Sequence, residues 1–399
     1  MRIAMVCEPG FFQKHVGVRA LVSTLMEQAK VLGHSVSYVI NEPTHLQDRW
    51  FLAVPQQSLV DGNFVDRTES VSGVPDEVLL RYQNDLFEVK QEDFPPDLRV
   101  AYYALGSGIA EDMFDMAIYS GPWLQRLQQR FPAKRVIGLV HDAIPNSYLL
   151  NGKATDDFAY QHLVGFRFYT DHCDEVWTNS AFTQSAFEAL CTISGFSPPP
   201  VHVLPPMIPH HIARQLVSTD ADRTVRENIV VAVGLFDPRK GLAEASKIFD
   251  LVTAPVHLVI CGAIRCHEPD MRDFIAGLKV ERVTWYRSIR SEDLAALYAR
   301  ARCAIFNSDA EGLGLPVLEA QALGCPVIAS DLPVLQDILL PGSIGLPRDR
   351  AADFAARIDA MLSIPFDHED LAARAQARFV PDAYGMLLDR ADMDVVTAS

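Results

Sequence analysis

The stretch Ser308 to Asp331, SDAEGLGLPVLEAQALGCPVIASD, constrains this chain most, because it prescribes a loop, a helix and a buried strand in immediate succession. Gly312 and Gly314 stand where a backbone must approach a ligand closely or take positive φ. Pro316 suits the first helical position, where its missing N–H is no loss. Val317, Leu318, Ala320 and Leu323 supply a packing face, and Gly324 with Pro326 ends the helix. Val327-Ile328-Ala329 then reads as a buried strand. Free N–H groups and the positive end of the dipole make the helix start an anion site. Glu311 precedes it and Glu319 follows eight residues later. Such a pair can accept hydrogen bonds from sugar hydroxyls on either side of a bound diphosphate. Taken alone, the two acids fit equally well as charge-favourable side chains at a helix N-terminus.

The remainder alternates short apolar runs with helically periodic stretches, the pattern of a parallel sheet with crossover helices. Arg2 to Val6 is a strand, and Ala20, Leu21, Leu25, Ala29 and Leu32 recur at helical spacing before Gly33. Val36 to Ile40 is the next strand and completes a βαβ unit. Pro9, Gly10 and Gly17 fall in the loop between strand and helix. Residues 41 to about 110 carry no clear pattern. Asp115 to Tyr119 and Val136 to Val140 read as buried strands, the second running into His141-Asp142. A histidine at the C-terminal end of a parallel strand stands where open α/β sheets bind ligands. A satisfied structural histidine fits the same place. Asp174 to Ser180 reads as strand and turn, with Ser180 the N-cap of a helix. Pro205-Pro206 punctuates the chain, and the polar run Ser218 to Asn228 reads as an interdomain linker. Its Asp220-Ala221-Asp222 is solvated charge, since no buried strand precedes it.

In the second half, strand Ile229 to Val233 leads into Gly234-Leu-Phe-Asp-Pro-Arg-Lys-Gly241. A glycine turn, a helix start and the cations Arg239 and Lys240 together form a cradle for a diphosphate. Arg239 alone fits equally as a solvated charge. Val256 to Gly262 and Val283 to Tyr286 are strands, and Ser291 to Arg300 is an amphipathic helix with Ser291 as its cap. Ala304 to Phe306 feeds the Ser308 stretch. Asp367 to Met393 is helical in pattern.

The 399 residues suffice for two or three domains. A formal charge of −16 argues against unspecific binding to nucleic acid or anionic lipid. No apolar run reaches the ~18 residues of a bilayer span. The start MRIAMVCEPG enters a strand with no signal-peptide core. The seven cysteines are scattered without a C-x-x-C pair, which fits reduced core residues in the cytoplasm.

The order EG-x-G-LP-x-LEA-x-A-x-G-x-PVIASD from Glu311 to Asp331 resembles the E-x7-E signature of retaining GT-B glycosyltransferases of family 4. The resemblance covers nearly the whole chain, strongest from about 228 to 350 and weakest from 41 to 110. It implies an α/β GT-B fold, two Rossmann-like domains facing across a central cleft. Residues 1–205 would bind the acceptor and 206–380 the nucleotide-sugar donor, while 381–399 would form a helix packing back on the first domain. By the same resemblance Glu319 holds the ribose hydroxyls and Glu311 those of the transferred sugar. Lys240, Arg239 and the backbone N–H groups of Gly312, Leu313, Gly314 and Leu315 hold the diphosphate. His141 faces the sugar, and Gly17 belongs to the glycine-rich first loop. Three positions depart from the family pattern: Leu235 where an arginine is usual, Val16-Gly17 for paired glycines, and Arg287 for a glycine beside the base.

The implied activity is a retaining hexosyl transfer from GDP-mannose or a UDP- or dTDP-sugar to a hydroxyl of a glycan or lipid-linked saccharide. The donor is a substrate, and neither a cofactor nor a metal is expected. The setting would be surface polysaccharide synthesis at the inner face of the membrane, with room for a homo-oligomer or a complex with other glycan-assembly enzymes, and without nucleic acid. The rival is a catalytically weak relative acting as a sugar-binding or partner subunit, which Leu235 motivates. A nicotinamide dehydrogenase fits less well, because no G-x-G-x-x-G follows the first strand.

Overall fold

A computed structural model of the chain describes residues 1–8, 11, 16–43, 48–55, 64–65, 87–90, 100–104, 114–123, 129–150, 156–218, 226–263, 265, 269, 273–274, 278, 280, 282–287 and 289–379. They fall into two compact units, the main boundary lying between Pro206 and Met207. The polar run read as a linker is therefore not the boundary. Its first residue ends a helix of the second unit, and Glu227 and Asn228 already begin a strand. Asp220, Asp222, Cys266 and the helix expected from 381 lie outside the described residues.

In the first unit, β1 (Arg2–Cys7) pairs in parallel with β2 (Ser35–Pro43) on one side and β7 (Met116–Tyr119) on the other. Beyond β7 the parallel order continues through β8 (Arg135–Val140), β9 (Glu175–Thr178) and β10 (Val201–Val203). Beyond β2 come three antiparallel strands, β3 (Asp48–Pro55), β6 (Val100–Ala104) and β4 (Phe64–Val65). They supply sheet from the stretch that showed no clear pattern. Antiparallel strands at a sheet margin need not read as continuous apolar runs. Helix α1 (Val16–Val31) buries Leu21, Val22, Leu25, Met26 and Ala29. It begins ahead of that apolar face, so Gly17 lies exposed in its first turn and not in the loop. Helices α2 (Ile144–Leu150), α3 (Asp156–His172) and α4 (Ala181–Ser194) follow. Ser180 caps α4, accepting the Thr183 N–H at 3.1 Å.

The second unit carries a parallel sheet with β11 (Glu227–Val233) at its centre, between β12 (His257–Cys261) and β14 (Ala301–Phe306). Outside these lie β13 (Arg282–Tyr286) with β5 (Phe87–Lys90), and β15 (Val327–Ser330) with β16 (Ile344–Leu346). Side chains alternate across a strand, so the unbroken apolar runs fill two cores. Val230, Ala232, Leu258, Ile260 and Ile305 pack in one. Ile229, Val231, Val259, Ala304 and Phe306 pack in the other. Burying each of these Val, Leu, Ile and Phe side chains contributes about 1.5–3 kcal/mol.

The helices of this unit are α5 (His210–Ser218), α6 (Leu242–Leu251), α7 (Ser291–Arg300), α8 (Leu315–Ala322), α9 (Pro333–Gln336), α10 (Ala351–Ser363) and α11 (His368–Arg378). Ser291 is the first residue of α7 and not its cap; Arg290 holds that place, with its Nε 2.6 Å from Asp293. Acids in the first turn mark a start through the dipole without fixing the capping residue. Six cysteines, all those described, are buried and unbridged, and burial pushes the Cys325 thiol up to about 12. Among the described residues no helix is long and apolar enough to cross a membrane.

Candidate functional site

Helix α6, leaving β11, packs in one core of the second unit, whereas α8, leaving β14, packs in the other. Adjacent strands whose connections depart to opposite faces leave a crevice at their C-terminal ends. The two strongest motifs of the sequence meet there. After β11 the chain turns at Gly234, with φ 72°. A short 3-10 turn, Pro238–Lys240, follows under the Asp237 carboxylate, which accepts the Arg239 N–H at 3.0 Å. Gly241 then takes φ 80°, and a Cβ on it would stand 2.2 Å from the Asn307 carbonyl oxygen. Only glycine lets this loop lie against the one after β14.

The two loops are stitched by their backbones. Asp309 donates its N–H to the Arg239 carbonyl at 2.7 Å, and Arg239 Nη1 donates to the Ala310 carbonyl at 2.9 Å. Lys240 Nζ pairs closely with Glu311 Oε1 and lies 4.3 Å from the centre of the Phe306 ring. Arg239 Nη1 is 3.8 Å from Glu311 Oε2, so both cations converge on one carboxylate. Burial holds the Lys240 pKa below the ordinary lysine value, and Glu311 acts against that by favouring the charged amine. Leu235 is 4% exposed and belongs to the apolar core.

Gly314, with φ 92°, is the N-cap of α8. Gly312 does not take positive φ, so only the second glycine of the loop answers a conformational need. The helix begins at Leu315 with Pro316 second, one residue earlier than the proline suggests. At the far end Gly324 donates to Gln321 and Cys325 to Ala320, the paired bonds of a Schellman stop with Gly324 at φ 73°. Gln321 anchors the helix sideways, accepting from Leu340 N and donating to the Ile338 carbonyl. Glu319 is thereby held buried, its Oε1 3.4 Å from His211 Nε2 on α5.

Two partners of this site left no signal in the sequence. His211 stands far from Glu319 along the chain. Arg348 joins the loop after β14 to the first turn of α6, with Nη1 2.8 Å from Asp309 and Nη2 3.0 Å from Glu244. Pairings across so many residues appear only once the strands are ordered.

The first unit holds His141 just after β8, buried, with Nε2 2.6 Å from the Ser120 carbonyl oxygen. Because a carbonyl only accepts, Nε2 carries the proton. Among the described residues no group of three or more His, Cys, Asp or Glu could hold a metal ion.

Two α/β units of Rossmann-like build define a GT-B fold. Sucrose-phosphate synthase from Thermosynechococcus elongatus shares this fold over the whole of both chains, at 18% identity and a TM-score of 0.62. Residues 218–378 match the family model for glycosyl transferases group 1. The serotype-specific mannosyltransferase WbdA of Escherichia coli is 29% identical over 148 residues, 34% of this chain and 17% of that protein. The O-antigen chain mannosyltransferase B of Escherichia coli is 35% identical over 126 residues, 29% of this chain and 32% of that protein. The chain thus spans less than a third of either relative's length.

Proposed function

We propose that the protein transfers a hexose, with retention, from a nucleotide-diphosphate sugar to a hydroxyl of a growing glycan or lipid-linked saccharide. The observation that carries this reading is the convergence of Lys240 and Arg239 on Glu311 at the mouth of the α8 helix start. Without donor, cations and carboxylate satisfy one another. With donor, the diphosphate takes the cations and the N–H groups of Gly312 to Leu315, releasing Glu311 for the sugar hydroxyls. Glu319 receives the ribose, and His141 serves the transferred sugar. The bond from the anomeric carbon to the phosphate oxygen breaks while the acceptor oxygen attacks on the same face. The acceptor proton passes to the departing diphosphate. Lys240, Arg239 and the helix dipole offset the charge that develops there, which is electrostatic catalysis. On this reading no divalent metal is needed.

The names of the two relatives favour a mannosyl donor and a role in surface polysaccharide synthesis; GDP-mannose as that donor and a place at the inner face of the membrane belong to the proposal alone. The domain from Met207 would bind the donor, the other the acceptor. The silent-partner reading rested on Leu235 at an arginine position. Arg239 reaching the same carboxylate as Lys240 supports the catalytic reading over it.

A thermal-shift panel of UDP, GDP, dTDP, ADP, CMP and their sugar conjugates tests the proposal. A ligand at 100 times its Kd adds about 2.7 kcal/mol to stability. One nucleotide class is expected to stand out and to lose its effect in Glu319→Ala and Lys240→Ala. No response to any of them would sink the donor site.

A further inference from the structure

In the first unit, His141 stands in a cluster whose other members, Glu8, Trp123 and His162, have no part in the transfer described above. Glu8, buried at the end of β1, accepts the Trp123 indole N–H on Oε2 at 2.6 Å. The Trp123 ring lies 5.6 Å, centroid to centroid, from the His141 ring and 5.7 Å from that of His162, tilted 33° and 34°. His162 is itself buried on α3 against Phe158 and Phe166, so the stack continues into the core. The backbone beneath it is built for close contact. A Cβ on Gly121 would meet the Trp123 ring at 2.5 Å, and one on Gly165 would stand 1.6 Å from the Pro122 carbonyl oxygen. Glu8, Ser120 and His141 follow β1, β7 and β8, three adjacent strands, so Trp123 ties together three strand ends.

We infer that Trp123, anchored by Glu8, is a positioning residue for His141. The Ser120 carbonyl fixes one ring nitrogen by accepting its N–H, but such a bond sets the position of an atom and not the plane of the ring. The indole face removes that freedom, and the Glu8 carboxylate prevents the indole from turning in its place. A hydrogen-bonding group displaced by about 1 Å can cost a hundredfold in rate, so holding the ring has a catalytic consequence. This rests on the reading of His141 as a group that serves the transferred sugar.

The test compares Trp123→Phe, Glu8→Ala and Glu8→Gln in the full chain. The His141 imidazole is followed by nitrogen-15 NMR without donor, its signals assigned by their loss in His141→Gln. Trp123→Phe keeps a ring but loses the anchored N–H. It should shift the His141 signals and lower kcat about tenfold, with donor KM unchanged within about twofold. Glu8→Ala should act alike, whereas Glu8→Gln, which still offers an acceptor oxygen to the indole, should restore both. Unchanged His141 signals and kcat in Trp123→Phe would overturn the inference, and that variant decides alone if Glu8→Ala does not fold. Should the parent transfer no sugar, the transferase reading fails, while the imidazole spectrum still decides whether Trp123 positions the ring.

Discussion

Lys240 is a site side chain whose chemistry is altered by its surroundings. Burial lowers its pKa and Glu311 opposes the shift, so the amine loses its charge at a lower pH than a free lysine. A diphosphate bound through that charge should therefore be released as pH rises toward the lowered value. Calorimetric titration of the responding nucleotide from about pH 7 to 10 should show affinity falling on the alkaline side. In Lys240→Arg that limb should flatten, because a guanidinium stays charged throughout. An identical limb in both proteins would assign it to another group. Leu235 tells the opposite story. Restoring the family's arginine would drive a charge into the core that holds Leu235 with Phe236 and Ile260. Leu235→Arg should lose at least about 2 kcal/mol in urea unfolding, and a variant as stable as the parent would show that the side chain can escape to solvent.

At the scale of elements, the site depends on the loop after β11 staying in register with the loop after β14. Arg348 ties the start of α6, which follows the first loop, to the second loop through Glu244 and Asp309. These pairs are partly exposed, so Arg348→Ala should cost only about 1 kcal/mol of stability. Its effect on nucleotide binding should be larger, about tenfold or ~1.4 kcal/mol, since Lys240 and Glu311 would lose their common frame. Equal affinity in parent and variant, measured by calorimetry, would mean that the backbone bonds between the loops suffice. The helix that follows needs no such brace, because its glycine cap and its Schellman stop are local, and both its glycines were legible in the sequence.

For the whole molecule, each unit has its own core, one around Tyr119, Phe166 and Tyr169 and two flanking β11. Scanning calorimetry should resolve two transitions, and the responding nucleotide should raise the one belonging to the unit from Met207. Movement of the other transition alone would relocate the nucleotide site.

The sequence by itself determined the alternation of strand and helix, the parallel strands around β1 and β11, and the loop, helix and strand from Ser308 to Asp331. These are local: apolar period, glycine and proline act within a few residues. It also marked Lys240, Glu311, Glu319 and His141 as candidates. It could not place Gly17, which lies in the first turn of a helix ahead of its apolar pattern, nor the cap before Ser291, nor the antiparallel strands between 48 and 104. Only the tertiary structure brought Lys240 and Arg239 onto one carboxylate, sent Leu235 into the core, and set His211, Arg348, Glu8 and Trp123 beside the candidate residues. Those contacts join residues on separate strand ends, and no local rule of propensity or period encodes which strands become neighbours.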